Sequence, residues 1–481
     1  MMFVSIIRII GILLTLVSLT MCIPISAAVV YGEYAVIPAF LIPMGLCILA
    51  ETLLFFVTRG YVFKLNTRSG FVVVAVSWIS TCLFGAAPFL ISGHIGNFAD
   101  ALFESVSGFT TTGATILSSV EHLPRSINLW RMQMHWLGGM GIVALTVALL
   151  PVLGVGGFQL IKAETTGPEK GKITPKITVT AKILWFIYIA LTAVQTVLLM
   201  IAGMDFFDAL GHSFATVGTG GFSSRNASIG SYRSPGIEWI CTIFMILAGI
   251  NFSLYYRILV GRGIEFLQNT ELKVYTFIIF IASLIIVPFI MPLYGSFGSA
   301  LRSAAFHVAS IISTTGFSTA DYSLWHPAAR MVLFILLFIG GCAGSTAGGI
   351  KVIRWVIMAK QMGVEVKRLL HPHGVFSIHL NKRPGREDVV YNVAAFMFLY
   401  FFMLMLTAFA AAINGADLIT ALTASLALVG NVGPGFGKVG PAENFGFFSD
   451  AAKYWFSFAM LAGRLELYTM LVFFMPTYWK K

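Results

Sequence analysis

Polar residues are so sparse along this chain that its first visible pattern is a series of long apolar runs joined by short hydrophilic connections. Ten runs of at least 18 residues occupy 3–22, 35–57, 70–92, 128–153, 181–204, 236–260, 274–296, 330–350, 389–413 and 451–475. Each is long enough to cross ~30 Å of hydrocarbon at 1.5 Å per residue. The pattern predicts an all-α polytopic membrane protein with no soluble domain left over.

A second pattern lies between the runs. The stretch D-A-L-F-E-S-V-S-G-F-T-T-T-G at 100–113 returns without gaps as D-A-L-G-H-S-F-A-T-V-G-T-G-G at 208–221, S-A-A-F-H-V-A-S-I-I-S-T-T-G at 303–316 and T-A-L-T-A-S-L-A-L-V-G-N-V-G at 420–433. Its first column, Asp100, Asp208, Ser303 and Thr420, holds residues suited to capping a helix N-terminus. About ten helix-compatible residues follow, roughly 15 Å of helix or half a membrane. Each copy then closes in a tetrapeptide: Thr110-Thr111-Thr112-Gly113, Gly218-Thr219-Gly220-Gly221, Ser313-Thr314-Thr315-Gly316 and Gly430-Asn431-Val432-Gly433.

Every copy sits between two long runs, so the unit is helix, half-helix with return loop, helix, repeated at intervals of roughly a hundred residues. The predicted organisation is two N-terminal transmembrane helices in 1–69 and four tandem repeats around one pore, at 70–180, 181–271, 272–387 and 388–481. The second helix of the third repeat is expected to be broken. Small-residue runs also serve as helix-packing surfaces, but packing alone does not require four matched caps in register.

Irregular backbone at membrane depth is tolerated where it is buried in protein or lines a water-filled path. Four half-helices with their C-terminal, partially negative ends on one axis favour a cation. Their loops supply carbonyls that replace an ion's hydration shell. In the second loop either Gly220 or Gly221 fits the closing position. His212 and His307, both nine residues before a closing glycine, are pH sensors or, more simply, packed and hydrogen-bonded core histidines.

Charge refines the picture without changing it. The chain has 481 residues, 58% hydrophobic and 11% charged, with a formal net charge of +11. With the N-terminus cytoplasmic and one crossing per run, 22 of the 31 Lys and Arg fall inside, which is the positive-inside pattern. Both termini are then cytoplasmic and the four return loops face out. Basic residues spread over short connections in this way argue against a nucleic-acid partner. Five single cysteines without a CxxC pair suit neither a disulfide framework nor a zinc site. Arg8 and the apolar run ending in Ile25-Ser26-Ala27-Ala28 also have the layout of a signal peptide, against which a retained helix is the expectation.

These residues resemble the membrane subunit of the Trk, Ktr and HKT superfamily of potassium transporters, and most closely the bacterial TrkH type. The resemblance rests on the four units, on Thr-Thr-Thr-Gly-Ala at 110–114, Gly-Gly-Phe-Ser at 220–223, Ser-Thr-Thr-Gly-Phe-Ser at 313–318 and the two extra N-terminal helices. It implies potassium uptake across the inner membrane, with the four tetrapeptides as the selectivity filter and K+ as the transported ion. Glycine at all four closing positions goes with potassium preference. The fourth loop departs most, having Pro434 after Gly433 and no threonine. The resemblance further implies a homodimer in the lipid bilayer and a cytosolic TrkA-type nucleotide-binding regulatory ring, for which the basic 351–386 connection is a docking surface.

Two features point to a gate. Gly340, Gly341, Gly344, Gly348 and Gly349 fall within ten residues of the eighth run, each costing about 1 kcal/mol against alanine in a helix, so the helix should break. A P-loop is the poorer reading, since Ile350 stands where its lysine is needed. By resemblance, Gly344, Ser345, Thr346, Gly348 and Gly349 form an intramembrane loop beneath the filter. Arg464 lies inside the last run, where an unpaired charge costs at least ~2.5 kcal/mol. The resemblance puts it in the pore; a structural pair with Glu466 is the alternative, though two residues apart on a helix they point to different sides.

The rival function is a proton- or sodium-coupled cation carrier with inverted repeats. Here the repeats share one orientation and the runs lack paired acids for a proton relay. Glu51 is a lone membrane acid, read as a packing residue. No HExxH, GxSxG or carboxylate cluster suggests an enzyme.

Overall fold

The structure, a computed structural model, describes residues 2–59, 67–141, 177–374, 376–380, 383–384, 387–471 and 476. The inner half of the predicted fourth span, most of the 162–182 connection and the C-terminal Lys480 and Lys481 lie outside the described residues. Among the described residues the regular structure is helical, apart from two two-residue strands, β1 (His379–Leu380) antiparallel to β2 (Arg383–Pro384).

Two N-terminal spans come first, α1 (Met2–Thr20) running into α2 (Cys22–Val30), then α3 (Ile37–Val57). One order of elements then recurs four times. A long helix, α4 (Thr67–Ile91), is followed by short α5 (Phe98–Phe109), an irregular segment and α6 (Arg125–Gly139). The second set is α7 (Ile177–Ile201), α8 (Phe206–Val217), and α9 (Pro235–Ala248) with α10 (Phe252–Leu259) and α11 (Gly263–Gln268). The third is α12 (Thr270–Tyr294), α13 (Phe297–Ile312), α14 (Pro327–Leu336) and α15 (Val352–Leu370). The fourth is α16 (Glu387–Ile413), α17 (Leu418–Val429), α18 (Asp450–Arg464) and α19 (Tyr468–Leu471).

The short helices interlock the sets. Each packs on the long helix of its own set, and α8, α13 and α5 also rest on the second helix of the preceding set, α6, α9 and α18 respectively. With the fourth set taken as preceding the first, three of the four seams are packed in this way. The long helices turn apolar residues outward: Phe186, Ile201, Phe277, Phe280, Phe398 and Phe409 are all more than 60% exposed, as a lipid-facing surface requires.

Two expectations need correction. Ten uninterrupted spans were expected, with one break; among the described residues only six helices are long and apolar enough to cross, the two N-terminal ones and the long helix of each set. The second helices are all cut short. Helix α6 ends at Gly139, α14 at Leu336 and α18 at Arg464, while α9 and α10 meet at 91° around Gly249–Asn251. Composition permits a span, but close packing ends the helix. A Cβ on Gly138 would collide with the carbonyl of Phe109, and one on Gly463 with that of Val429, so these helices come backbone to backbone with the segments they flank.

The caps are also displaced. Side-chain oxygens of Asn97, Asp205, Ser296 and Asp417 accept from the amides of Ala99, Asp208, Ser299 and Thr420. Asp100, Asp208 and Thr420 are therefore third residues of the first turn. Ser303 lies a further turn inside, because α13 has 16 residues against 12 in the other three. An acid in the first turn suits the helix dipole, so its column looked like a cap.

Candidate ion pathway

Each short helix ends in the same hydrogen-bonded turn. The amides of Thr112, Gly220, Thr315 and Val432 reach back five residues to the carbonyls of Ser107, Ala215, Ser310 and Ala427, at 2.8–2.9 Å. Those of Thr111, Thr219, Thr314 and Asn431 reach back three. This is a Schellman closure, which needs a left-handed residue at its turn. Thr111 (φ 54°), Thr219 (56°), Thr314 (55°) and Asn431 (53°) occupy it. A β-branched residue there costs roughly 1–2 kcal/mol, so these side chains need a reason to be kept.

Several have one. The Thr314 hydroxyl accepts from the Gly348 amide at 2.6 Å, and Thr219 donates to the Gly218 carbonyl at 2.7 Å. The Asn431 amide donates to Thr112 Oγ1 (2.9 Å) and to the Met460 carbonyl (3.0 Å), tying the fourth turn to the first.

Two residues later the chain turns left-handed again, at Gly113 (φ 78°), Gly221 (79°), Gly316 (82°) and Gly433 (96°). The register left open by sequence is thereby set in backbone terms: Gly221 has this geometry and Gly220 does not. These glycines are also where the four segments meet. A Cβ on Gly113 would strike the Gly220 carbonyl, one on Gly221 that of Thr315, one on Gly316 that of Val432, and one on Gly433 that of Thr112. First touches second, second third, third fourth, and fourth first. All four glycines line one cavity of about 140 Å³, with Thr115, Arg131, Arg225 and Glu443 on its wall.

On the other side of this ring lies the glycine-rich segment between α14 and α15. It touches the base of the second, third and fourth turns, and Arg464 links it to the first set. Thr346 Oγ1 donates to the carbonyl of Val217, beneath the second turn (3.0 Å), Gly348 bonds Thr314 of the third, and a Cβ on Gly348 would meet the carbonyl of Gly430 in the fourth. Arg464, at the end of α18, donates to the Thr346 carbonyl (2.7 Å) and to those of Gly138 (2.8 Å) and Gly139 (3.3 Å) in the first set. Glu466 pairs with Arg354 of α15.

Sequence reasoning missed what anchors this segment. Glu271 Oε1 on α12 accepts from the amides of Ala343 (2.8 Å) and Ile353 (3.0 Å), holding both ends. The amide of Cys342 donates to Gly249 (2.9 Å) and that of Phe252 to Gly344 (2.9 Å), so the bend between α9 and α10 supports it. Buried Lys351 donates to the Ala347 carbonyl. The available signals were an acid opening the seventh apolar run and a Gly-Ile-Asn interruption in the sixth.

Both histidines take the packed alternative. His212 donates from Nδ1 to the Asp208 carbonyl (2.7 Å) and accepts from Ser223 Oγ (2.8 Å). His307 donates from Nδ1 to the Ser303 carbonyl (2.8 Å), and its Nε2 lies 3.2 Å from the Ala320 carbonyl and 3.4 Å from the Thr319 amide. Both are fully buried. Among the described residues no group of three His, Cys, Asp or Glu is arranged to hold a metal ion.

Known proteins match this chain over nearly its whole length. The TrkH family model, described as a cation transport protein, matches residues 36–481. The Trk system potassium uptake proteins TrkH of Halomonas elongata and of Escherichia coli K12 are each 40% identical to this chain, the former covering 99% and the latter 100% of both sequences. The crystal structure of the potassium transporter TrkH from Vibrio parahaemolyticus superposes with a TM-score of 0.89 at 36% identity, over the whole of both chains. A closed ring of four capped, glycine-ended turns, with six spans around it and a match over nearly the full length, makes the chain an integral membrane transport protein of the TrkH family.

Proposed function

We propose that this chain carries potassium across the bacterial inner membrane through the axis enclosed by the four turns. The observation that carries the reading is the cyclic contact of Gly113, Gly221, Gly316 and Gly433 with the carbonyls of Gly220, Thr315, Val432 and Thr112. The amides of Thr112, Gly220, Thr315 and Val432 are spent on the short helices, and the carbonyls of the same four residues are the ones that replace the hydration shell of an ion. The filter residues are Thr110 to Gly113, Gly218 to Gly221, Ser313 to Gly316 and Gly430 to Gly433. The Halomonas elongata and Escherichia coli relatives are named potassium uptake proteins, which supports K+ as the cargo.

The segment containing Gly344, Ser345, Thr346, Gly348 and Gly349 is the gate in its closed position, and Arg464 is its latch. Opening requires the segment to leave Thr314 and Arg464 to release Thr346. A cytosolic nucleotide-binding ring of the TrkA type drives that motion on a homodimer with both termini cytoplasmic. The far half of α15 supports a partner, since Met362, Val366, Leu369 and Leu370 are 53–82% exposed along one helix stripe beside Lys367 and Arg368.

The test is ion flux into proteoliposomes containing the purified protein, comparing potassium, rubidium, sodium and lithium. Potassium and rubidium should pass well ahead of sodium and lithium. Equal passage of all four overturns the potassium reading, and obligatory exchange with protons or sodium, without conductance, replaces the pore with a carrier.

A further inference from the structure

The four filter segments are supported from behind by one column of the short helices. Its members are Glu104, His212, His307 and, one residue earlier in the fourth, Thr423. Each bonds the strand that leaves the closing glycine: Glu104 takes the hydroxyl of Thr115 (3.0 Å) and the amide of Ile116 (3.2 Å), His212 meets Ser223, His307 takes the amide of Thr319, and Thr423 that of Phe436 (3.0 Å). Only the first support is an acid, and it brings a cation with it.

Arg131 of α6 donates to Glu104 Oε1 from Nε at 2.8 Å and from a terminal nitrogen at 2.5 Å. Its other nitrogen reaches Asn128 Oδ1 (3.1 Å) and the Ser223 carbonyl (3.5 Å), and the guanidinium lies 4.2 Å from the centre of the Phe222 ring. Phe222 and Ser223 directly follow Gly221. One turn along α6, His135 donates to the Gly108 carbonyl (2.7 Å) and accepts from the Phe222 amide (3.1 Å). The seam between the first and second segments is thus bolted by side chains of a single helix.

At the other seams the segments themselves bond through uncharged groups, while ion pairs join the flanking helices, Arg302 of α13 with Glu238 of α9 (2.6 Å) and Lys453 of α18 with Asp100 of α5 (2.6 Å). Gly230 bonds Ser318 between the second and third, Tyr322 bonds Gly435 between the third and fourth, and Phe445 bonds Thr115 between the fourth and first. A fully buried ion pair contributes little stability over an apolar replacement of equal volume, because both charges must be desolvated. What it does supply is fixed geometry: a planar guanidinium fork holds its carboxylate in one orientation.

We infer that Glu104 and Arg131 are positioning residues for ion discrimination, setting the spacing of the first and second filter segments through Thr115 and Phe222 without touching the ion. The inference rests on the potassium-filter reading above. Arg131→Lys keeps the charge and loses the fork. Thr115→Val leaves the ion pair in place and removes the hydroxyl part of its link to the first segment, leaving only the Ile116 amide, while Thr115→Ser retains both.

The experiment measures potassium and sodium flux in proteoliposomes for the wild type and these three variants, with thermal unfolding as the control for folding. Losing one charge-assisted hydrogen bond at this seam should lower the potassium-to-sodium ratio by roughly tenfold in Thr115→Val and Arg131→Lys. Thr115→Ser should restore it. If Arg131→Lys does not fold, the Thr115 pair decides. Folded variants with the wild-type ratio, or with both fluxes reduced equally, overturn the positioning role and leave the potassium reading standing. A wild type that passes both ions equally overturns both.

Discussion

Replacing Arg464 with alanine removes the bonds that join the glycine-rich segment to the first and fourth repeats. In the structure the guanidinium makes two short bonds, 2.7 Å to Thr346 and 2.8 Å to Gly138, and a longer one of 3.3 Å to Gly139. A hydrogen bond to a charged group contributes about 1.5–3 kcal/mol net. The bonds to Gly138 and Gly139 hold the arginine itself, so only the one to Thr346 holds the segment. Its loss shifts the closed-to-open balance by about 2 kcal/mol, or about 30-fold. On the proposed reading, removing this positive charge from beneath the turns also lowers the barrier to cations. Both effects act in one direction. Potassium flux through Arg464→Ala should therefore rise by at least an order of magnitude without any regulatory subunit. Its potassium-to-sodium ratio should stay that of the wild type, because the filter turns are untouched. Arg464→Lys keeps a charge but loses the fork that spans two repeats, and should fall between the two. Flux measured in proteoliposomes at matched protein density is the assay. A folded Arg464→Ala protein with wild-type flux would refute the latch.

The remaining predictions use the same preparation. Alanine at Gly113, Gly221 or Gly316 drives a Cβ into a neighbouring carbonyl, whereas at Gly433 the nearest carbonyl, that of Thr112, stands 2.7 Å away; Gly433→Ala should retain the most discrimination of the four when their potassium-to-sodium ratios are compared. Glu271→Ala frees the amides of Ala343 and Ile353 and should raise basal flux severalfold while lowering the unfolding temperature by a few degrees, equivalent to about 1–3 kcal/mol; unchanged flux would show that these anchors do not restrain the gate. Asp417→Ala should cost about 1 kcal/mol through loss of the α17 cap. The Asp417 carboxyl is held below its ordinary range chiefly by the Thr420 hydroxyl, so its contribution is complete above the unfolded-state value near pH 4 and fades only as pH falls through the native one; a thermal-unfolding profile that loses it at neutral pH would contradict this.

Hydropathy made the membrane class legible, and the repeat made the helix, short helix, helix order legible, because both are written in composition and spacing. The breaks in the second helices are not. Residues 235–259 are apolar enough to pass for one span, yet the chain bends by 91° at Gly249–Asn251 because that bend receives the amide of Cys342 and the carbonyl of Gly344 from the next repeat. A window of hydropathy contains no information about a partner ninety residues away. Glu104 and Arg131 were equally hidden, each a single charge in an apolar context until folding puts 2.5 Å between them.

The left-handed threonines carry this furthest. Local preference disfavours Thr at such a turn, where Gly or Asn is usual, and the fourth repeat does use Asn431. Thr314 is explained by the hydroxyl it presents to the amide of Gly348, a contact that glycine could not make. The strained residue of the third filter turn is thus also the point at which the glycine-rich segment is held. In Thr314→Gly the turn should keep its backbone at lower strain, losing only that contact, so flux should rise with the potassium-to-sodium ratio preserved. A drop in the ratio without a rise in flux would mean that the side chain serves the filter alone, and that gate and filter do not share this residue.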